Sequence, residues 1–166
     1  MSYDIASFDA LPDAEAERLL RACCASTTWA RAVAAGRPYR SSDVLFAAAD
    51  AALAALEDPD VDAALAGHPR IGERSRSTAS AREQAGVLAS DDTVLTALAD
   101  GNRAYEQRFG HVYLVCATGR SGAELLAVLT ERLGNDPATE RMRTRAELGK
   151  INLIRLAPLV TEEGHR

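Results

Sequence analysis

GHPRIGERSRSTASAREQAG, residues 67–86, is the stretch on which the reading of this chain turns. It is rich in Gly, Arg and Ser, while the sequence on either side is Ala- and Leu-rich with helical periodicity. A polar insert between helical runs reads as a surface loop held by a rigid scaffold. Pro69 disfavours helical geometry at the residue before it, so His68 falls on a bend. An imidazole titrates near pH ~6.5, the useful range for moving protons at neutral pH. Ser80-x-x-Glu83-Gln84 follows at the start of the next helical run. Ser80 and Glu83 match a capping box, which only starts a helix. The same spacing also puts Ser80 on one helical face with Glu83 and Gln84. Spacing alone leaves both readings open, and a histidine beside a proline is commonly a plain loop residue.

Upstream, residues 1–11 read as an extended lead-in. Pro12 suits the first turn of a helix that carries Asp13, Glu15 and Glu17 near its positive end. Leu19, Leu20, Cys23 and Cys24 recur at helical spacing as its buried face. Thr27–Ala35 is a second helix ending at Gly36, with Trp29 and Val33 on one side. Ser41-Ser42-Asp43 starts a third, which runs toward Pro59. Asp60 or Asp62 restarts a short helix that stops at Gly67. His68 then lies just past a helix C-terminus, whose partial negative charge favours imidazolium.

Downstream, Ser80–Leu88 is a short helix, and Asp91-Asp92 starts a long one that ends at Gly110. Val94, Leu98, Tyr105 and Phe109 are its buried positions. VYLVCA, residues 112–117, is strand-like but has no evident partner, so no sheet is predicted. Its buried main-chain groups still need partners, and a polar ligand can supply some of them. Ser121-x-x-Glu124 is a second capping box, and Asp136-Pro137 opens a last helix that reaches about Leu156. Met142, Leu148, Ile151, Leu153, Ile154 and Leu159 are the apolar candidates of that region. The predicted fold is all-α: one domain over residues 1–166, a bundle of about seven to nine helices.

Composition narrows the function classes. The chain has 166 residues, 47% apolar and only 5% aromatic, so Ala and Leu fill most of one core. A net charge of −5 argues against non-specific nucleic-acid binding. The three cysteines, Cys23, Cys24 and Cys116, are odd in number and contain no C-x-x-C, which argues against a disulfide framework or a structural zinc site. The N-terminal MSYDIASFDALPD is polar and acidic, and no apolar run reaches membrane-spanning length. A soluble cytoplasmic protein with no membrane association is the expectation.

Four motifs in order, GHPRIGE, S-x-x-E-Q, LADGNRAYEQRFG and KINLIRLAPLV, resemble the OHCU decarboxylases. Those enzymes act on 2-oxo-4-hydroxy-4-carboxy-5-ureidoimidazoline, between urate and allantoin. The resemblance extends from SFDALPDAEAERLLRACCAS to the last Leu-rich segment. It implies His68 as proton donor, with Glu83 hydrogen-bonded to the substrate hydroxyl or to His68. It implies Ser80 and Gln84 on ureido or ring polar atoms, and Pro69 acting through its carbonyl or its shape. The matching main-chain lining is Tyr113, Leu114, Val115, Cys116 and Ala117. Arg155 becomes the cationic partner of the substrate anion, since a planar fork suits carboxylate or ureido oxygens. A homodimer is implied by the same analogy. Many members carry Phe-Pro where this chain has His111-Val112, which leaves the local backbone path open. Arg70, Arg74 and Arg82 are read as solvated or as a positive approach, and His111 and His165 as incidental.

The chemistry agrees with a cofactor-free enzyme. Decarboxylation needs an electron sink and then a proton, and the substrate's own C=N and carbonyl system supplies the sink. No phosphate-binding glycine loop and no metal-ligand spacing appears in the sequence. Two other readings compete: a metal-dependent ureide hydrolase with His68, Glu73 and Glu83 as ligands, and a helical interaction module whose 67–86 loop docks a partner.

Overall fold

A computed structural model describes residues 1–161 and gives ten helices and one pair of two-residue strands. The elements are β1 (Tyr3–Asp4), α1 (Ile5–Asp9), α2 (Asp13–Cys23), α3 (Thr27–Ala35), α4 (Ser42–Ala54), α5 (Asp58–Leu65), α6 (Thr78–Glu83), α7 (Ala85–Leu88), α8 (Asp92–Phe109), α9 (Gly122–Arg132), α10 (Pro137–Leu156) and β2 (Val160–Thr161). The all-α class is as predicted. The count exceeds expectation for two local reasons. Residues 5–9, read as extended, form a helix capped by Asp4, whose carboxylate accepts from Ser7 N. The Ser80–Leu88 run is also split, because Gln84 leaves helical geometry at φ −97°, ψ 10°.

Most helix starts are set by short polar side chains. Ser26, Ser41, Asp91 and Ser121 accept from the backbone N–H three residues on, filling donors that the first turn cannot satisfy. α8 stops at Gly110, whose φ of 77° is a left-handed cap favoured by a residue without Cβ.

The chain forms two compact units. One comprises residues 1–64 with the segment from 149 onward, the other residues 65–148. In the first, α2 and α4 both pack against α3. Trp29 is fully buried and donates through Nε1 to Ala49 O at 2.9 Å. β1 pairs in parallel with β2, Tyr3 opposite Val160, so the beginning of the chain lies beside the end of the described chain.

In the second unit α8 packs on α9 and α7 also contacts α9. Ile71, Val87, Leu98, Tyr105, Tyr113, Val115, Ala117, Leu125 and Leu129 form its core. The predicted apolar stripe of α10 holds at Leu148 and Ile151 but needs correcting elsewhere. Met142 is 70% exposed and Ile154 39%. The side that α10 buries in this unit is mainly polar: Glu140, Thr144 and Glu147, with Leu148. Arg132 explains the reversal. It is buried and needs an anion, and Glu140 supplies one.

Candidate active site

The helix before the loop starts and stops earlier than expected, at Asp58 and Leu65 rather than Asp60 or Asp62 and Gly67. α5 ends at Leu65, and His68 N donates to Leu65 O at 3.0 Å, closing a turn past the helix end. His68 and Pro69 are half-buried and lie outside any helix. Ile71 turns into the core at 4% exposure. Gly72 takes φ +91°, a backbone state that side chains with a Cβ rarely adopt. Arg70 lies on the outer side, forked onto Glu106 of α8 with Nε at 2.7 Å and Nη2 at 3.3 Å. Glu106 is the first cause of the upward shift of the Arg70 pKa.

The helix that follows begins earlier than its sequence indicates. Ser77, not Ser80, is the N-cap of α6, its Oγ accepting from Ser80 N at 3.4 Å. Ser80 is the third residue of the helix and is buried. The capping-box reading of Ser80-x-x-Glu83 is therefore overturned. Serine hydroxyls at 77 and 80 are equally good caps by type, and the chain uses the first. Glu83 closes α6 and is half-buried.

Gln84 is buried at the break between α6 and α7, and both ends of its amide reach the loop. Oε1 accepts from Gly72 N at 2.9 Å, and Nε2 donates to Arg70 O at 3.3 Å. Asn102 of α8, unremarked in the sequence, donates from Nδ2 to Ile71 O at 2.9 Å. Its signal was available: it lies three residues before the buried Tyr105, on the same helical face. A cleft of about 310 Å³ lies against the loop, with Arg70, Gly72, Glu73, Asn102 and Glu106 in its wall.

Residues 113–117 run extended without joining a sheet. Tyr113, Val115 and Ala117 face the core, as the two-residue alternation of extended backbone requires. Leu114 and Cys116 alternate with them; Leu114 is buried as well, and Cys116 stays half-exposed. Arg132 Nη1 holds Leu114 O at 2.7 Å, and Arg120 N holds Ala117 O at 3.0 Å. No strand ladder serves the main-chain groups of Val115 and Cys116. Arg132 is itself fixed by Glu140, whose Oε1 also accepts from Tyr105 OH at 2.5 Å. Burial raises the Tyr105 phenol well above its ordinary range, and its hydrogen bond to Glu140 adds to this. Before the segment, His111 Nδ1 lies 3.1 Å from Val112 O and its ring meets Tyr105 edge-on. His111-Val112 thus forms a local turn against the core aromatic.

Three stretches therefore meet through shared core residues of one unit. The loop contributes Ile71, α7 contributes Val87, and the extended segment contributes Tyr113, Val115 and Ala117. Gly86 permits a close approach: a Cβ there would lie 2.7 Å from Arg120 O, just past the segment. Arg155 belongs to the other unit, where its Nη1 donates to Cys23 O at 3.4 Å. Burial pushes the Cys23 thiol up to about 11, with Arg155 opposing the rise. His165 lies outside the described residues. Among the described residues no three His, Cys, Asp or Glu side chains come together, so His68, Glu73 and Glu83 do not form a metal-ligand group. Among the described residues no helix is long and apolar enough to cross a membrane.

An all-α chain whose histidine loop is braced by buried amides and packed beside an unpaired extended segment is the class these features define. The family model for OHCU decarboxylase matches residues 9–157. A 2-oxo-4-hydroxy-4-carboxy-5-ureidoimidazoline decarboxylase of Amia calva is 32% identical over 138 residues, covering 79% of this chain and 79% of that protein. The uric acid degradation bifunctional protein TTL of Arabidopsis thaliana is 29% identical over 151 residues, which cover 86% of this chain. The chain spans 47% of that protein's length. A crystal structure of OHCU decarboxylase in the presence of (S)-allantoin superposes with a TM-score of 0.73 at 28% identity, covering 89% of this chain and 96% of that one. A structure of (S)-allantoin synthase, at 20% identity and a TM-score of 0.72, shares the fold, covering 93% of this chain and 53% of that one. The chain belongs to the OHCU decarboxylase family.

Proposed function

We propose that this chain decarboxylates 2-oxo-4-hydroxy-4-carboxy-5-ureidoimidazoline to (S)-allantoin without a cofactor. The observation that carries the reading is the family match over residues 9–157, which includes the histidine loop and the extended segment. The carboxyl carbon leaves as CO2. Its bonding pair forms a double bond to the neighbouring ureido-bearing carbon, whose C=N nitrogen takes the charge. The hydroxyl-bearing carbon then becomes a carbonyl, and a proton arrives at the ureido-bearing carbon from one face. An oriented acid supplies rate and stereochemistry together.

His68 is the proposed proton donor, with Glu83 holding the substrate hydroxyl or the imidazole. Ser80, Gln84 and Pro69 bound the ring and ureido side. Main-chain groups of Tyr113–Ala117 provide fixed dipoles, which is consistent with a segment that no sheet consumes. Arg155 is the proposed partner of the substrate anion. Assembly as a homodimer and a cytoplasmic location belong to the same reading, and sedimentation of the purified chain tests the first.

Circular dichroism of freshly oxidised urate tests the reaction. Added protein should give optically active allantoin much faster than the spontaneous racemic route. Racemic product at the spontaneous rate would remove the reading.

A further inference from the structure

The loop that carries His68 has no secondary structure of its own, so its main chain must be held by something else. Three consecutive residues show how. Arg70 O, Ile71 O and Gly72 N each bond to a buried side-chain amide. Gln84 takes the first and third, Asn102 the second. The amides come from different elements, the α6–α7 break and the middle of α8. They are 4% and 2% exposed.

We propose that Gln84 and Asn102 are positioning residues: a pair of buried amides that fixes residues 70–72 and so aims the His68 imidazole. This rests on the decarboxylase reading for the reaction, but the clamp itself is a matter of geometry.

Four observations support the assignment. First, the segment is tied at both ends, by His68 N on Leu65 O before the bend and by the amides after it. Between these ties lie only His68 and Pro69, and proline fixes its own φ. Second, Gln84 is placed by a helix break. An unbroken helix would carry residue 84 on within its own regular turn. Third, α8 grips the loop twice from one face. Asn102 holds Ile71 and Glu106, one turn on, holds Arg70. Fourth, Asn102 Oδ1 is buried and has no hydrogen-bond partner among the described residues. An apolar side chain would fill that space without burying a polar atom, so the amide is explained by the Ile71 bond it makes.

Gln84 thereby has a duty different from direct contact with substrate. The two roles separate experimentally. Gln84→Met and Asn102→Leu keep side-chain volume and remove the amide. Amide exchange at Gly72 and the His68 ring signals in NMR report the clamp without any turnover. The wild-type chain should protect Gly72 N–H, and Gln84→Met should lose that protection. Asn102→Leu should move the His68 signals while the melting transition stays cooperative. In turnover, a misplaced donor should lower kcat by about 10²-fold. KM should change little and the allantoin should lose optical purity. Gln84→Glu retains the acceptor for Gly72 N–H and should restore its protection and part of kcat. Unchanged Gly72 exchange in Gln84→Met, or a wild-type kcat in folded Asn102→Leu, overturns the proposal. A Gln84→Met effect confined to KM would return Gln84 to the substrate. If the wild-type chain is inactive on the ureidoimidazoline while Gly72 exchange still responds, the decarboxylase reading has failed, and the positioning role in that reaction with it.

Discussion

Arg132 Nη2 and Glu140 Oε1 lie 2.5 Å apart, with side chains only 1% and 0% exposed. The pair sits under Leu114, whose carbonyl accepts from Arg132 Nη1. Removing one partner leaves the other as a buried unpaired charge, which costs about 3–5 kcal/mol. Arg132→Met and Glu140→Gln should each show a loss of that order in urea unfolding. Replacing both should lose less than the sum of the two. Singles that unfold like wild type would show that water already screens the pair.

The same pair gives an acid-limb prediction. Burial pushes the Glu140 carboxyl up, but hydrogen bonds from Arg132, Tyr105 and Asn135 outweigh it and hold the pKa below its ordinary 4.5. A lowered folded-state value means that the unfolded chain binds the proton more readily. The contribution of Glu140 is therefore complete above about 4.5 and is lost as pH falls through the lower folded value. Unfolding free energy measured from neutral pH downward should fall in that window. Glu140→Gln should have a flatter profile there, from a lower plateau.

His68→Asn keeps a polar ring-sized group on the bend but cannot deliver a proton. Turnover should fall by roughly 10²–10⁴, with the melting temperature close to wild type. Near-wild-type rates would remove His68 from the role of donor.

Ser77 caps α6, so Glu83 has no part in a Ser80 capping box. Glu83→Gln should leave the melting temperature nearly level while activity drops steeply. Full activity in the Gln variant would leave Glu83 without a role in the chemistry.

Gly86→Ala tests the close approach of α7 to the turn after the extended segment. The new Cβ would meet Arg120 O at 2.7 Å, a backbone atom that cannot rotate away. Overpacking of this kind costs about 1–3 kcal/mol. Calorimetry should register the loss, and activity should fall with it if α7 shifts. A fully stable, fully active variant would show that the turn yields freely.

The helical class and most helix starts were legible because caps are local. Ser26, Ser41, Asp91 and Ser121 act within three residues of where they stand. At Ser80 the same logic misled, since Ser77 offers an identical hydroxyl one turn earlier. The inner side of α10 was legible only in part, at Leu148 and Ile151. Its pattern depends on Arg132, a tertiary partner that turns a charged position into a core one, while Met142 is left outside. The histidine loop was legible as a loop from its proline and glycines. What holds it was not, because Gln84 and Asn102 resemble ordinary surface amides until α8 and the α6–α7 break are placed around residues 70–72.

If the extended segment forms the proposed main-chain wall, it shows where such a site is written in the gene. A surface made of peptide groups has no residue identity of its own, so the half-exposed residue 116 can drift by mutation while its shape persists, whereas Leu114 is buried and cannot. The instructions for that shape sit at codons 132 and 140, which encode the guanidinium on the Leu114 carbonyl and its counter-ion. Substituting residues along 113–117 to redirect specificity would mostly change packing. Redesign of the proposed wall would begin at Arg132.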